Sequence, residues 1–239
     1  MENSAASQQA RPARIRAMFD RIAPTYDLLN RLISFGLDTG WRREAIALFR
    51  EFPGGSFLDI AAGSGDVSLE LRTLSPRFTA GTDFSINMLR QYDLKMRAGS
   101  PAGRFGAAAC DALALPFRDR TFDGAITAFG IRNFADRPLS LREMHRVLRP
   151  GGIAVILELT VPGHPVLQRL YALHAKYLLP AAGRIISGDS SAYRYLPDSI
   201  MAFPSNSEFL SIMSAAGFVR TEARPLTFGA ATIFSGRKP

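Results

Sequence analysis

Between Ala13 and Arg50 apolar residues recur every three or four positions: Ile15, Met18, Phe19 and Ile22, then Leu28, Leu29, Leu32 and Ile33, then Trp41, Ala45, Ile46, Leu48 and Phe49. That spacing lays them along one stripe of a helix, and Pro24 and Gly36 interrupt it, so two or three helices are predicted ahead of the first strand. The period then changes. "SFLDIAAG" is a short apolar run ended by an acid and a glycine, "DVSLELRTL" returns to helical spacing, "RFTAGTD" reads as a strand and "INMLRQYDLKMR" as a helix. "GRFGAAACDA" is a weak strand, "FDGAITAFG" a strong one, "PLSLREMHRVL" a helix behind Asp136, and "GGIAVILELT" the longest strand. Strands of nearly continuous apolar character, alternating with helices through short connections, predict an α/β fold with a doubly wound, mostly parallel sheet.

After Thr160 the rhythm changes. Residues 165–186, with Val166, Leu167, Leu170, Tyr171, Leu173, Tyr177 and Leu178, are expected to form an amphipathic helical insertion, followed by the Gly/Ser/Tyr-rich "SGDSSAYRYLPDSIMAFPS". Residues 161–204 together are long enough for a lid. "SNSEFLSIMSAAG" is expected as the last helix, and "FVRTEARPLTFGAATIFSGR" as two antiparallel strands that close the sheet. Residues 1–13 are polar, small and without period, and are expected to be disordered; 14–239 then form a single domain with 14–50 as an N-terminal helical cap.

At 239 residues and 47% hydrophobic content the chain can bury a core of its own. Cys110 is the one cysteine, which excludes an intramolecular disulfide and fits a reducing compartment, with the cytoplasm as the expected location. The N-terminus has no signal-type apolar stretch, and no run approaches the roughly 18 apolar residues of a membrane span. The net charge of +8 raises nucleic acid as a partner. Arginines are scattered from Arg11 to Arg237, however, and form no basic arm, so no nucleic-acid partner is expected.

"LDIAAGSGD" puts a glycine-rich turn between the first strand and its helix, where backbone can approach a ligand closely. Gly63 and Gly65 are followed by Ser68, so the third glycine of a dinucleotide fingerprint is missing. Asp59 and Asp66 flank the turn, and a diphosphate there would meet both carboxylates. A cofactor carrying positive charge, S-adenosylmethionine, suits this rim better. Asp83, twenty residues after Gly63, ends the second strand where a carboxylate can accept ribose hydroxyls. Asp111 follows the third strand, with the backbone N–H of Ala112 beside it, both suited to an adenine edge. Arg132 and Asn133 stand where the apolar strand "ITAFG" emerges at the ligand-binding edge of the sheet, open to either a substrate role or loop capping. His145 is expected on an exposed helix face, His164 and His174 lie in the loop and the insertion, and no His/Cys/Asp spacing predicts a metal.

With "YDLLNRLISFGLDTGW", "RVLRPGGIAVILELT", "ALPFRDRTFD", "FGIRN" and "YRYLPDSI..FP", the chain from about residue 14 onward resembles the ubiquinone/menaquinone biosynthesis C-methyltransferase family. It departs from that pattern at Leu29, Asp38, Arg149 and Thr160, and at Ala128, where a cofactor-contacting serine is usual. The resemblance implies a class I methyltransferase fold, Rossmann-like with an antiparallel C-terminal strand. It implies S-adenosylmethionine contacts at Ser64, Asp83, Asp111 and Ala112 beside Gly63, Gly65 and Asp59, with Tyr26 closing over the cofactor. Arg132 and Asn133 become catalytic or substrate-orienting. The implied reaction is C-methylation of a prenylated quinol, demethylmenaquinol to menaquinol first, with a polyprenyl methoxybenzoquinol or another small molecule as the alternative. A prenyl tail would bring the protein to the inner face of a membrane as a peripheral partner. The oligomeric state stays open, a homodimer included.

Overall fold

The computed structural model describes residues 13–98, 104–162 and 191–239. Residues 13–22 form α1, followed by α2 (Tyr26–Ile33) and α3 (Leu37–Ala47). The alternating part runs β1 (Ser56–Ile60), α4 (Asp66–Leu71), β2 (Phe78–Asp83), α5 (Ile86–Ala98), β3 (Arg104–Ala109), β4 (Phe122–Ala128), α6 (Arg137–Val147) and β5 (Leu148–Leu159). The described C-terminal part adds α7 (Ser191–Met201), α8 (Asn206–Ala215), β6 (Val219–Leu226) and β7 (Ala231–Arg237). Seven strands form one sheet in the order β3-β2-β1-β4-β5-β7-β6. β7 runs antiparallel to both neighbours, while β1 to β5 are parallel. The sheet is therefore the doubly wound one expected, closed by an antiparallel C-terminal hairpin.

The period-2 geometry of a strand sends neighbouring residues to opposite faces, and here both faces are covered. In β5, Ala154 and Ile156 join one apolar cluster with Leu141 and Met144 of α6 and Phe209 and Met213 of α8. Ile153, Val155 and Leu157 point the other way, into a cluster with Trp41, Ala45 and Ile46 of α3 and Val67 and Leu71 of α4. α3 is thus a core helix rather than a cap, because Trp41, Ala45 and Ile46 all insert under the sheet.

Two boundaries differ from expectation. Residue 13 is already helical. The Gly/Ser/Tyr-rich stretch after the insertion contains α7, a full helix despite Pro197 inside it. Of the segment 1–13 expected to be disordered, residues 1–12 lie outside the described residues, as does the amphipathic insertion expected over 165–186.

Topology fixes where ligands can go. The strand order reverses between β1 and β4, and the crevice beyond the carboxyl ends of these strands is where open α/β sheets bind ligands. α1 and α2 lie across that crevice.

Candidate active site

β1 delivers Asp59 and the turn Ala61–Gly65 to the crevice. Ala61 has φ of 55°, and so does Gly63; for alanine this left-handed conformation is strained, and such strain concentrates at ligand sites. Asp59 is 1% exposed: one oxygen accepts from Ser68 Oγ at 2.8 Å, and Oδ1 has no partner among the described residues. Burial pushes its carboxyl up to about 7, Ser68 opposes the shift, and the charges of Asp83 and Asp66 add to it. Gly65 does a different job. With φ of 93° it caps α4, and a Cβ there would sit 2.7 Å from the Tyr92 ring, so glycine is required for packing. Among the described residues Gly65 lines neither cavity set out below.

β2 ends in Asp83, 6% exposed, whose Oδ2 accepts the Gly63 N–H at 2.9 Å and whose Oδ1 accepts the Ser85 N–H at 2.8 Å. Each oxygen keeps a lone pair. Burial raises this carboxyl to about 6 against the hydrogen bonds that lower it. Asp111 is exposed and accepts the Leu113 N–H at 3.0 Å, a turn contact that holds it beside Ala112. Asp83, Asp111, Ala112, Gly63, Tyr26 and Asn133 all line one cavity of about 750 Å³, together with Phe19, Phe84, Met88, Phe129 and Phe134. A second cavity of about 350 Å³ is lined by Asp59, Ser64, Asp66, Arg42 and Asn30. Both share Tyr26, Ala61, Gly63, Ala128 and Phe129, so they adjoin across the glycine turn.

α1 and α2 form a strap over this crevice. The Phe19 ring meets Tyr26 and Phe84 edge-on at 6.0 and 6.3 Å. Ser85 Oγ donates to Asp20 at 2.5 Å, and Lys95 Nζ donates to Asp27 at 2.7 Å. Ser64 Oγ donates to Asp27 and accepts from Lys95, so its hydroxyl is committed to fastening the strap. Burial works to raise the Asp27 carboxyl, yet the bonds from Lys95 and Ser64 outweigh it and hold it below the usual carboxylate range. Asp66 is also spoken for: Lys95 pairs with one oxygen and Arg42 with the other at 3.0 Å, and Arg42 in turn binds the buried Asp38 at 2.7 Å. The acidic rim expected from Asp59 and Asp66 therefore reduces to Asp59, because two cations already neutralise Asp66.

Arg132 and Asn133 sit on a 3-10 turn, Ile131–Asn133, after β4. Arg132 is 7% exposed and turned inward. Its guanidinium donates to Glu158 Oε1 at 2.6 Å and to the Phe129 carbonyl at 2.5 Å, and its backbone N–H reaches Glu158 Oε2 at 3.1 Å. Burial works to discharge the guanidinium, but the Glu158 carboxylate dominates and raises its pKa. Arg132 does not line the cavity, although its buried Nε–H has no partner among the described residues. Asn133 does line it, and its Oδ1 accepts from Tyr195 of α7 at 2.8 Å. Burial raises the Tyr26 phenol above its ordinary value, with Asn30 and the Arg132 charge opposing, so Tyr26 is a neutral donor near pH 7. Glu158, Tyr195 and the strap residues Asp27 and Lys95 were not foreseen. Glu158 carried one signal, being an acid that ends an apolar strand as Asp59 does. His145 is half-buried against the Phe218 ring at 5.1 Å rather than exposed.

The family model for the ubiE/COQ5 methyltransferase family matches residues 7–238. The chain belongs to this family. A Geobacter sulfurreducens relative, named ubiquinone/menaquinone biosynthesis C-methyltransferase UbiE, is 48% identical over 94% of this chain and 88% of its own. The demethylmenaquinone methyltransferase of Thermus thermophilus is 46% identical over 93% of this chain and 100% of its own. A crystal structure of a SAM-dependent methyltransferase from Thermotoga maritima has a TM-score of 0.62 at 17% identity, covering 93% of this chain and 99% of that one, a likeness of fold.

The cofactor of a methyltransferase of this type, S-adenosylmethionine, matches the donor set. Asp83 has lone pairs for a ribose diol, Asp111 and the Ala112 N–H suit an adenine edge, and the orphaned Asp59 Oδ1 suits an ammonium group. When bound, the cofactor supplies an electrophilic methyl group on sulfur. Among the described residues no group of three or more His, Cys, Asp or Glu could hold a metal.

Proposed function

We propose that this methyltransferase methylates a ring carbon of a prenylated quinol, demethylmenaquinol to menaquinol, with a polyprenyl methoxybenzoquinol as the alternative substrate. The observation that carries this is the composition of the larger cavity. Asp83 and Asp111 supply acceptors suited to a nucleoside, while the same cavity presents the polar Asn133 and the rings of Phe129 and Phe134, which suit an aromatic ring. The names of the Thermus and Geobacter relatives support the quinol class.

The ring carbon is most nucleophilic when the neighbouring hydroxyl is ionised. For a phenol with a pKa near tyrosine's ~10, ionisation at pH 7 costs about 4 kcal/mol. Asn133 donates to that oxygen, and the buried Arg132 charge behind the same turn, fixed by Glu158, favours the anion without entering the cavity, a preorganised arrangement that needs no reorganisation as charge develops. Arginine cannot take a proton at neutral pH, so the hydroxyl proton leaves to water, and the ring carbon that gains the methyl group loses its own hydrogen as a proton, which restores the aromatic ring. The apolar strap residues Ile15 and Phe19 exclude bulk water from the ring.

A prenylated substrate also supports a peripheral position at the membrane surface. Among the described residues no helix is long and apolar enough to cross a membrane. Co-sedimentation with vesicles containing anionic lipid, weakened by salt, is the expected behaviour. The substrate reading is tested by turnover with reduced demethylmenaquinone against a reduced polyprenyl methoxybenzoquinone at equal concentration. Faster methylation of the naphthoquinol is expected, and methylation of the benzoquinol alone would reverse the preference.

A further inference from the structure

Tyr195 stands on α7, outside the family of strand-end loops that build the site, yet its hydroxyl donates to Asn133 Oδ1 at 2.8 Å. A carboxamide has two unlike ends: the oxygen only accepts and the nitrogen only donates. Asn133 lines the larger cavity, so which end faces the ring decides what the cavity can recognise. We infer that Tyr195 is a positioning residue that holds the Asn133 oxygen and so presents the Asn133 NH2 group to the substrate, making the site a receptor for an acceptor oxygen. Resting on the quinol reading, this adds the form of substrate that is bound: the ionised ring oxygen, the stronger acceptor, is favoured over the neutral hydroxyl, whose O–H would still need an acceptor of its own.

The surroundings support the assignment. Tyr26 and Tyr195 both lie near the Arg132 guanidinium, and Glu158 anchors Arg132 through its side chain and its backbone N–H. The turn that carries Asn133 is therefore fixed from β5 by Glu158 and from α7 by Tyr195. The neighbouring charged and titratable groups, Arg132, Glu158, Tyr26 and Asp83, are left in place when the Tyr195 hydroxyl alone is removed.

The test needs a readout that does not depend on methyl transfer. The probe is 4-nitro-1-naphthol, whose ionisation is visible by absorbance, bound to the full chain in the presence of S-adenosylhomocysteine. The wild type is expected to lower the apparent pKa of the bound probe. Tyr195→Phe should reduce that lowering, and Asn133→Ala should abolish it, with Tyr195→Phe adding nothing further in the Asn133→Ala background. In the quinol assay Tyr195→Phe should lower kcat roughly tenfold while leaving cofactor affinity within about twofold. Asn133→Asp, which keeps an acceptor for Tyr195 but turns a second acceptor toward the ring, should be worse than Asn133→Ala. An unshifted probe in the wild type, equal shifts in wild type and Tyr195→Phe, or a full Tyr195→Phe effect without Asn133 would each overturn the inference. A shifted probe with no methylation of prenylated quinols would overturn the substrate reading alone.

Discussion

Asp59 and Asp83 carry the most pH-sensitive charges of the site. Both are buried, and their carboxyls titrate near about 7 and about 6. The stability that follows from protonating them is whole below the ordinary carboxylate pKa of about 4, and is lost as pH rises through these two values. A cationic cofactor reverses the preference, since it favours the ionised forms. The increase in Tm produced by S-adenosylmethionine is therefore expected to grow between pH 5.5 and pH 8, with protons released on binding; a pH-independent increase would contradict this. Asp83→Ala should weaken cofactor binding at least tenfold, because it removes the acceptor and leaves the Gly63 and Ser85 N–H groups unpaired. At Arg132 the expected effect is partly structural. Arg132→Ala strands the fully buried Glu158, a loss on the order of 3–5 kcal/mol, so Tm should fall together with turnover. Arg132→Ala paired with Glu158→Gln should recover much of the Tm without recovering activity, as thermal unfolding and rate assays would show.

The strap of α1 and α2 packs over the crevice through Ile15, Met18 and Ile22 and is tied down at its rim. Its ties are polar: Asp20 to Ser85, and Asp27 to Ser64 and Lys95. Asp27→Asn should raise the cofactor dissociation rate several-fold in stopped-flow measurements, with little change in Tm because the pair is partly exposed. An unchanged rate would mean that the strap does not gate the site. Gly65→Ala, by contrast, should destabilise by about 2 kcal/mol, since it combines a left-handed backbone with a clash on Tyr92. The elements around the crevice are only partly legible in the sequence. Apolar period revealed the helices of the strap, and the inner strands β1, β2, β4 and β5 stand out because burial on both faces leaves a nearly unbroken apolar run, whereas the edge strand β3 is largely exposed and reads only weakly. α7 was missed because Ser, Gly and Pro197 outweigh its helical spacing locally, whereas packing against the turn Ile131–Asn133 supports it in the folded chain. Asp59, Asp83, Asp111 and Asn133 could be found because a parallel sheet delivers strand ends to one crevice. The pairing of Arg132 with Glu158 could not, since the two lie 26 positions apart and meet only when β4 and β5 align.

At the scale of the molecule, the sheet carries one apolar cluster on each face, and the crevice opens beyond the carboxyl ends of its central strands. Within the crevice, two cavities meet at Tyr26, Ala61, Gly63, Ala128 and Phe129, the larger carrying Asp83, Asp111 and the phenylalanine rings and the smaller carrying Asp59 and Asp66. That junction is where a methyl donor and a ring would face each other. The most direct measurement is incubation of the purified chain with S-adenosylmethionine bearing a 13C methyl group and chemically reduced demethylmenaquinone, followed by NMR of the extracted quinone. A 13C signal of a methyl group on the ring carbon, absent with Asp83→Ala at limiting cofactor, is the predicted result. Label found on a ring oxygen, or no label in the quinone while the cofactor remains bound, would contradict it.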